Sequence, residues 1–181
     1  MKRIFVIILT LLLVDSAFSQ NQDSIKAMAN AAVKMFTWDI QKAERGTLMF
    51  LDVPYQRTGK DSIEYLTMTV AKDKSKQRPE FISIIIPSNI CKSNGIFIKF
   101  GNKELEKGNP VRVQFEKCNN ETCTARIIGG YVTDEETKEK VDVFQKFLDF
   151  QHVYFLFTYM DGSHKSVAIP LFSFQNQYKS L

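Results

Sequence analysis

The sequence predicts a mainly β protein, a β-sandwich with one helix near residues 134–149. Three observations carry that expectation. Apolar residues recur with period two through most of the chain, as strands with one buried face require. Turn-forming clusters punctuate those runs at Gly59-Lys60-Asp61, Ser93-Asn94-Gly95 and Gly108-Asn109-Pro110. One stretch switches to helical spacing, and no strand–helix alternation suggests a parallel sheet.

The first element is an address rather than part of the fold. Lys2 and Arg3 precede an eleven-residue apolar run over residues 4–14, and Ala17-Phe18-Ser19 supplies a small-x-small cleavage pattern. The run ends at Asp15 and falls short of the roughly 20 apolar residues that a membrane-spanning helix needs. Residues 1–19 are therefore expected to be a cleaved signal peptide, leaving 162 of the 181 residues in a periplasmic or secreted chain. No later segment is apolar enough to span. Losing two cations and one anion takes the net charge from +4 to +3. A charge this small and unclustered argues against a nucleic-acid partner. Length and a 44% hydrophobic share fit one domain with a real core, and exclude a disordered chain or a multi-span membrane protein.

Residues 20–35 are polar and then alanine-rich, an N-terminal arm or loose helix, and residues 36–181 form the single sandwich domain. Strands are expected over residues 47–53, 62–71, 81–86, 96–100 and 111–115. The 81–86 run is continuously apolar, as for a buried strand ended by Pro87. Another strand is expected near 124–128. Thr133 followed by Glu136 reads as a capping box, and Val141, Phe144, Phe147 and Leu148 continue as a helical stripe. Residues 153–160 and 165–171 flank Asp161-Gly162 as a closing hairpin, with Tyr159 expected to face His164. A short tail, residues 172–181, follows.

The three cysteines divide unequally. Cys118 and Cys123 bracket four residues of a hairpin loop, where facing Cα atoms lie ~4.5–5.5 Å apart and a disulfide can form. Export supplies an oxidising compartment. A structural zinc site would want four ligands, and no second Cys/His pair exists. Cys91 is left as a free thiol, read as a small, partly buried hydrophobe.

Catalytic patterns are absent from the sequence. It contains no G-x-S-x-G, H-E-x-x-H, P-loop or G-x-G-x-x-G signature. His152 and His164 fall at opposite ends of the closing hairpin, too far apart to share a metal or a proton. Asp161, Ser163 and His164 have the residue types of a triad but crowd one solvated turn. No catalytic residue, metal or cofactor is expected, and the chain is read as non-enzymatic. Fifteen phenylalanines point chiefly to an aromatic core. The tail residues Phe172, Phe174 and Tyr178 are the candidates for an exposed apolar contact. The alternative reading is a small-ligand or lipid carrier, which requires a closed apolar cavity.

The chain from residue 84 onward resembles the invasion-associated locus B family of bacterial exported proteins. The matching residues are Ile84-Ile85-Ile86-Pro87, Gly95-Ile96-Phe97-Ile98, residues 111–115, and the unit Cys118-x₄-Cys123-Thr124-Ala125. Asp161-Gly162, Ala168-Ile169-Pro170-Leu171 and Ser173-Phe174 complete the match, and Phe36-Thr37-Trp38-Asp39-Ile40 is similar to the family's opening segment. The family's usual second cysteine pair is missing, with Gln41 and Lys42 near where its first member would fall. The resemblance implies an immunoglobulin-like sandwich, a periplasmic, outer-envelope or secreted location, and a link to host-cell invasion in some members; the partner expected is an envelope or host-cell protein. It implies no catalytic residue.

Overall fold

The computed structural model describes residues 36–181 apart from 43, 58, 60, 103–109 and 135–136. The expected leader and N-terminal arm, residues 1–35, lie outside the described residues. Twelve strands are described, and the longer ones follow the period-two pattern. β1 (Asp39–Lys42), β2 (Gly46–Gln56), β3 (Ile63–Asp73) and β4 (Phe81–Pro87) pair in sequence as antiparallel neighbours. β8 (Thr122–Ile128) adds to β4, and β7 (Phe115–Cys118) adds to β8, giving a six-stranded sheet in the order β1-β2-β3-β4-β8-β7. A second sheet runs β12 (His164–Pro170), β11 (His152–Thr158), β5 (Ile96–Gly101), β6 (Val111–Val113). The mainly β, sandwich-like architecture predicted from the sequence is present.

Alternation decides what each strand buries. The inward series of β2 is Met49, Leu51, Val53 and Tyr55, that of β3 is Leu66, Met68 and Val70, and that of β11 is Val153, Phe155 and Phe157. These side chains from both sheets belong to one buried cluster. Dispersion and lost apolar hydration hold the two layers together, at roughly 1.5–3 kcal/mol for each fully buried large side chain.

Four expectations need correction. The strand expected over residues 111–115 is two strands: Val111–Val113 pairs with β5, and Phe115–Cys118 pairs with β8 in the other sheet. The chain changes sheets at Gln114, so one apolar run serves both layers. The helix expected over 134–149 covers only α1 (Val143–Asp149). The residues before it form a hairpin of β9 (Tyr131–Thr133) and β10 (Lys140–Asp142), with Val132 opposite Val141. Asp134 accepts a hydrogen bond from Thr137 N–H at 2.8 Å and closes that hairpin's turn, while Asp142 caps the helix by accepting from Gln145 N–H at 2.8 Å. Gly130 (φ +81°) lets the chain pass beneath α1, because a Cβ there would meet Phe144 Cβ at 2.3 Å.

The third correction is the tail. Residues Phe172–Lys179 form a helix, α2, which buries Phe174 and Tyr178. The two are four residues apart and share one helical face. Of the three residues expected to be exposed, only Phe172 is, at 46%. The fourth is the closing hairpin's register. His164 faces Thr158, not Tyr159, because the loop has three residues: Met160, Asp161 and Gly162. Tyr159 O accepts from Gly162 N–H, and Gly162 takes φ +83°, the arrangement of a type I turn followed by a bulge.

Candidate functional site

One end of the sandwich carries a polar cluster, and strand alternation explains its position. The residue after Tyr55 in the inward series of β2 is Arg57. The first inward residue of β3 is Glu64, and Tyr159 follows Phe157 in the series of β11. These positions lie just beyond the apolar core, where the two sheets end. The loop after β4 joins them: Met160 N–H bonds to Asn89 O at 3.1 Å, Cys91 N–H bonds to Thr158 O at 2.7 Å, and Ile90 bridges Tyr159.

Glu64 is the centre. It accepts from Tyr159 Oη at 2.6 Å and from Asn89 Nδ2 at 3.3 Å. Tyr55 Oη lies against Tyr159 and Glu64 in no well-directed hydrogen bond among the described residues. Burial, together with the nearby carboxylate, pushes both phenols above the ordinary tyrosine range. Arg57 lies over the Tyr159 ring with its Cζ 4.0 Å from the centroid, and it pairs with Asp161. Tyr55 also meets Phe157 edge-on at 5.8 Å, which ties the cluster to the core.

The Asp161 carboxyl is held down to about 2, first by hydrogen bonds from the Ser163 hydroxyl and backbone N–H, then by Arg57. A depressed folded value means that the ionised loop favours folding above the unfolded carboxylate's ~3.9. That contribution is lost as the pH falls toward the folded value. A carbon-13 titration of the Asp161 carboxyl should therefore give a midpoint near 2. An ordinary carboxylate midpoint would mean that these hydrogen bonds do not form in solution.

Around this plug the surface turns apolar. Ile63 is 61% exposed, Tyr65 54% and Met160 77%. Ile63 and Tyr65 lie on the outer face of β3, on either side of the inward-facing Glu64. Cys91 lines a hollow of about 480 Å³ with Ser88, Ile90, Lys92, Ser93 and Met160. Its Sγ is 3.4 Å from Ser93 Oγ. His164 does not line that hollow; its Nδ1 meets Thr158 Oγ1 at 3.0 Å. Asp161, Ser163 and His164 do not form a catalytic relay, since Asp161 bonds Ser163 and Arg57 while His164 bonds Thr158. His152 sits opposite Pro170, at the far end of the same hairpin.

Cys118 and Cys123 are joined, as their spacing predicts, with Cα atoms 4.1 Å apart. They face one another in the β7–β8 register, and the next pair inside the loop carries the hydrogen bond from Asn119 N–H to Thr122 O at 2.9 Å. The cysteines thus occupy a closely spaced, non-hydrogen-bonded pair. Asn119 Oδ1 accepts from both Glu121 and Thr122 N–H and holds the loop shut. Thiol counting on denatured, unreduced protein should find one free thiol, that of Cys91. Reduction should cost about 2 kcal/mol of stability, because the closed loop is short. Three free thiols in unreduced protein would refute the bridge.

The sequence reading missed the polar plug. A signal was there: Tyr55, Arg57 and Glu64 continue the period-two phase of their apolar strands, but they are unlike their neighbours in chemistry.

Fold and site together define an antiparallel β-sandwich whose loop end is sealed by an interior polar network and ringed by exposed apolar side chains. No protein-family model matches the chain, and no curated protein matches it. A solved structure that it is similar to is the crystal structure of invasion associated protein B from Bartonella henselae. The two share 11% sequence identity over 80% of this chain and 86% of that chain, with a TM-score of 0.49. That likeness gives no residue of this chain a role.

Proposed function

We propose that the chain is an exported, non-enzymatic β-sandwich protein of the bacterial envelope that acts through contacts with an envelope component or a host-cell surface. One observation carries the contact reading: at the loop end the Glu64 carboxylate is engaged by Tyr159 and Asn89, while Ile63, Tyr65 and Met160 stand exposed around it. Glu64 is bound on both oxygens, so this carboxylate serves the fold rather than a substrate. Apolar side chains clustered beside loops at the end of a rigid scaffold suit partner contact. The leader pattern and the Cys118–Cys123 bridge support export. The motif resemblance supports the envelope and host-cell setting. The three described hollows, of about 400–480 Å³, are open surface depressions, so a carrier reading draws no support from them.

The test combines fractionation with cross-linking. The protein should be recovered outside the cytoplasm with Gln20 as its first residue. A partner cross-linked to the native protein should be lost on Ile63→Lys and Tyr65→Lys substitution, with the fold intact. A cytoplasmic protein that retains Met1 would overturn the export reading. A cross-link indifferent to both substitutions would overturn the assignment of this surface.

A further inference from the structure

The outer face of the smaller sheet has a ligand-sized hollow with a definite chemistry. The inward series Ile96, Ile98, Val153, Phe155, Val167 and Ile169 is buried in the core. The alternate residues form the outer face, and the register sets them in rows. One row is Arg112–Phe97–Leu156–Ser166, running from β6 across β5 and β11 to β12. The next is Lys99–Tyr154–Ala168. With strands about 4.8 Å apart, the three positions from Phe97 to Ser166 span about 10 Å.

A hollow of about 400 Å³ lies along the first row. Phe97 and Leu156 give it apolar lining, and Thr158, His164 and Ser166 add hydroxyl and imidazole groups. His164 Nδ1 meets Thr158 Oγ1 at 3.0 Å, so these two share a fixed orientation. Two cations border the apolar floor, one on its own strand and one on the next. The Arg112 guanidinium is held over the Phe97 ring, 6.0 Å from the centroid, by the carbonyls of Asn94 and Ser93. Lys99 is the next outward residue of β5, about 7 Å along the strand from Phe97. Its ammonium forms no ion pair among the described residues. The outward positions of the four strands hold no Asp or Glu. Asp161, in the turn that joins β11 to β12, pairs with Arg57.

We infer that this face binds an oligosaccharide that carries uronic acids. The C–H face of a sugar ring packs on Phe97 and Leu156, and its hydroxyls exchange hydrogen bonds with Ser166 and Thr158. Its carboxylate lies toward Lys99 and Arg112. An apolar floor with a few placed polar groups is the arrangement that orients a small ligand, and the charges select among ligands of one shape. Two separate cations suit the single carboxylate of each ring better than a densely sulfated chain, which calls for a basic run. An acidic peptide matches the charges but not the apolar floor with its hydroxyl rim. The surface lies on the smaller sheet, whereas Ile63 and Tyr65 belong to β3 of the larger one. It is therefore a second surface, beyond the contact reading above.

The probe is tetragalacturonate, titrated into the isotope-labelled protein in its native, processed form. Its fully methyl-esterified form is the uncharged control, and heptaglutamate is the acidic control without rings. Expected are shifts of the Phe97, Leu156, Thr158 and Ser166 amide resonances and about fivefold tighter binding of the acid than of the ester, the size of two exposed ion pairs. That preference should shrink as salt is raised. Lys99→Glu should remove the preference and leave binding of the ester unchanged. Ser166→Ile should weaken both sugars by about tenfold, because it fills the hollow from an exposed strand position that suits a β-branched residue. Should Lys99→Glu not fold, Ser166→Ile decides alone. The inference is overturned by no binding at about 10 mM tetragalacturonate, or by equal binding of acid and ester. It is also overturned if heptaglutamate binds as tightly as the acidic sugar and shifts the same resonances, which would make this a charged face without sugar recognition. Sugar binding indifferent to Ser166→Ile would place the site elsewhere and overturn it as well. The cross-link test on Ile63→Lys and Tyr65→Lys reads the other surface, so either result can fail without the other.

Discussion

Phe174→Ala is expected to destabilise the protein by about 3–5 kcal/mol, the usual range for emptying a large aromatic site in a core. Phe174 is fully buried. Its ring meets Trp38 at 5.3 Å, Phe147 at 5.5 Å, Tyr178 at 5.5 Å and Phe144 at 6.5 Å between centroids. These rings come from the start of the domain, from α1 and from α2, so one side chain joins three segments distant in sequence. Collapse into the space is restricted, because α2 is also pinned by side-chain hydrogen bonds. Ser173 Oγ donates to Phe36 O at 2.6 Å, Gln175 Nε2 donates to Phe150 O at 2.8 Å, and Tyr178 Oη donates to Gln77 O at 3.0 Å. At about 2–4 °C per kcal/mol for a chain of this size, the melting temperature should fall by about 10 °C. Phe172→Ala is the control. Half-exposed two residues away, it should move stability by no more than about 0.5 kcal/mol. Equal effects of the two substitutions would mean that α2 is not docked. Urea or thermal unfolding of the two variants checks this.

Glu64→Ala is expected to cost about 3 kcal/mol through the groups it abandons rather than through its own area. Tyr159 is a buried residue and would lose the acceptor for its hydroxyl, while Asn89 would lose the partner of its amide. Tyr159→Phe alone removes one partner and should cost about 1 kcal/mol. The pair Glu64→Ala and Tyr159→Phe should cost less than the sum of the two single changes, because the second removes the donor that the first leaves unpaired. A purely additive cycle would show that the bond contributes nothing. The phenol itself gives an independent readout. Burial first, then the hydrogen bond to Glu64, holds Tyr159 protonated above its ordinary range, so the folded state should resist ionisation of this ring past pH 10. A raised folded value means that this contribution is complete below the unfolded pKa of ~10 and is lost only at still higher pH. Ultraviolet titration of the wild type against Glu64→Ala should show the phenol ionising earlier in the variant.

Much of the fold was legible because strand periodicity is local. Phe81–Pro87, Ile96–Gly101 and the His152–Pro170 hairpin announce themselves by alternation or by continuous burial, and the cysteine spacing announces the bridge between β7 and β8. The misreadings occurred where a local signal had two outcomes. Val141 fits a helical stripe and equally fits a two-sided pairing with Val132; the Asp142 cap, one residue later, selected the second. Asp161-Gly162 reads as a two-residue turn, yet Gly162 is the bulge residue of a three-residue loop, and that one-residue slip moves His164 from Tyr159 to Thr158. Phe174 and Tyr178 carried the spacing of a helix face, but in a ten-residue tail nothing local says whether that face is covered.

By itself, the sequence determined the leader pattern, the β class, the bridge between Cys118 and Cys123, and the inward or outward sense of most strand residues. All of these depend on neighbours within a few positions along the chain. Only the tertiary structure decided that Tyr55, Arg57, Glu64, Asn89 and Tyr159 meet at one end, that Phe174 is an anchor rather than a contact, and that β12 pairs with β11 alone among the described strands. Those facts depend on which strands lie beside one another. In an antiparallel sandwich, that order is set by packing two apolar faces together, and residues a hundred positions apart, such as Tyr159 and Glu64, become neighbours as a result.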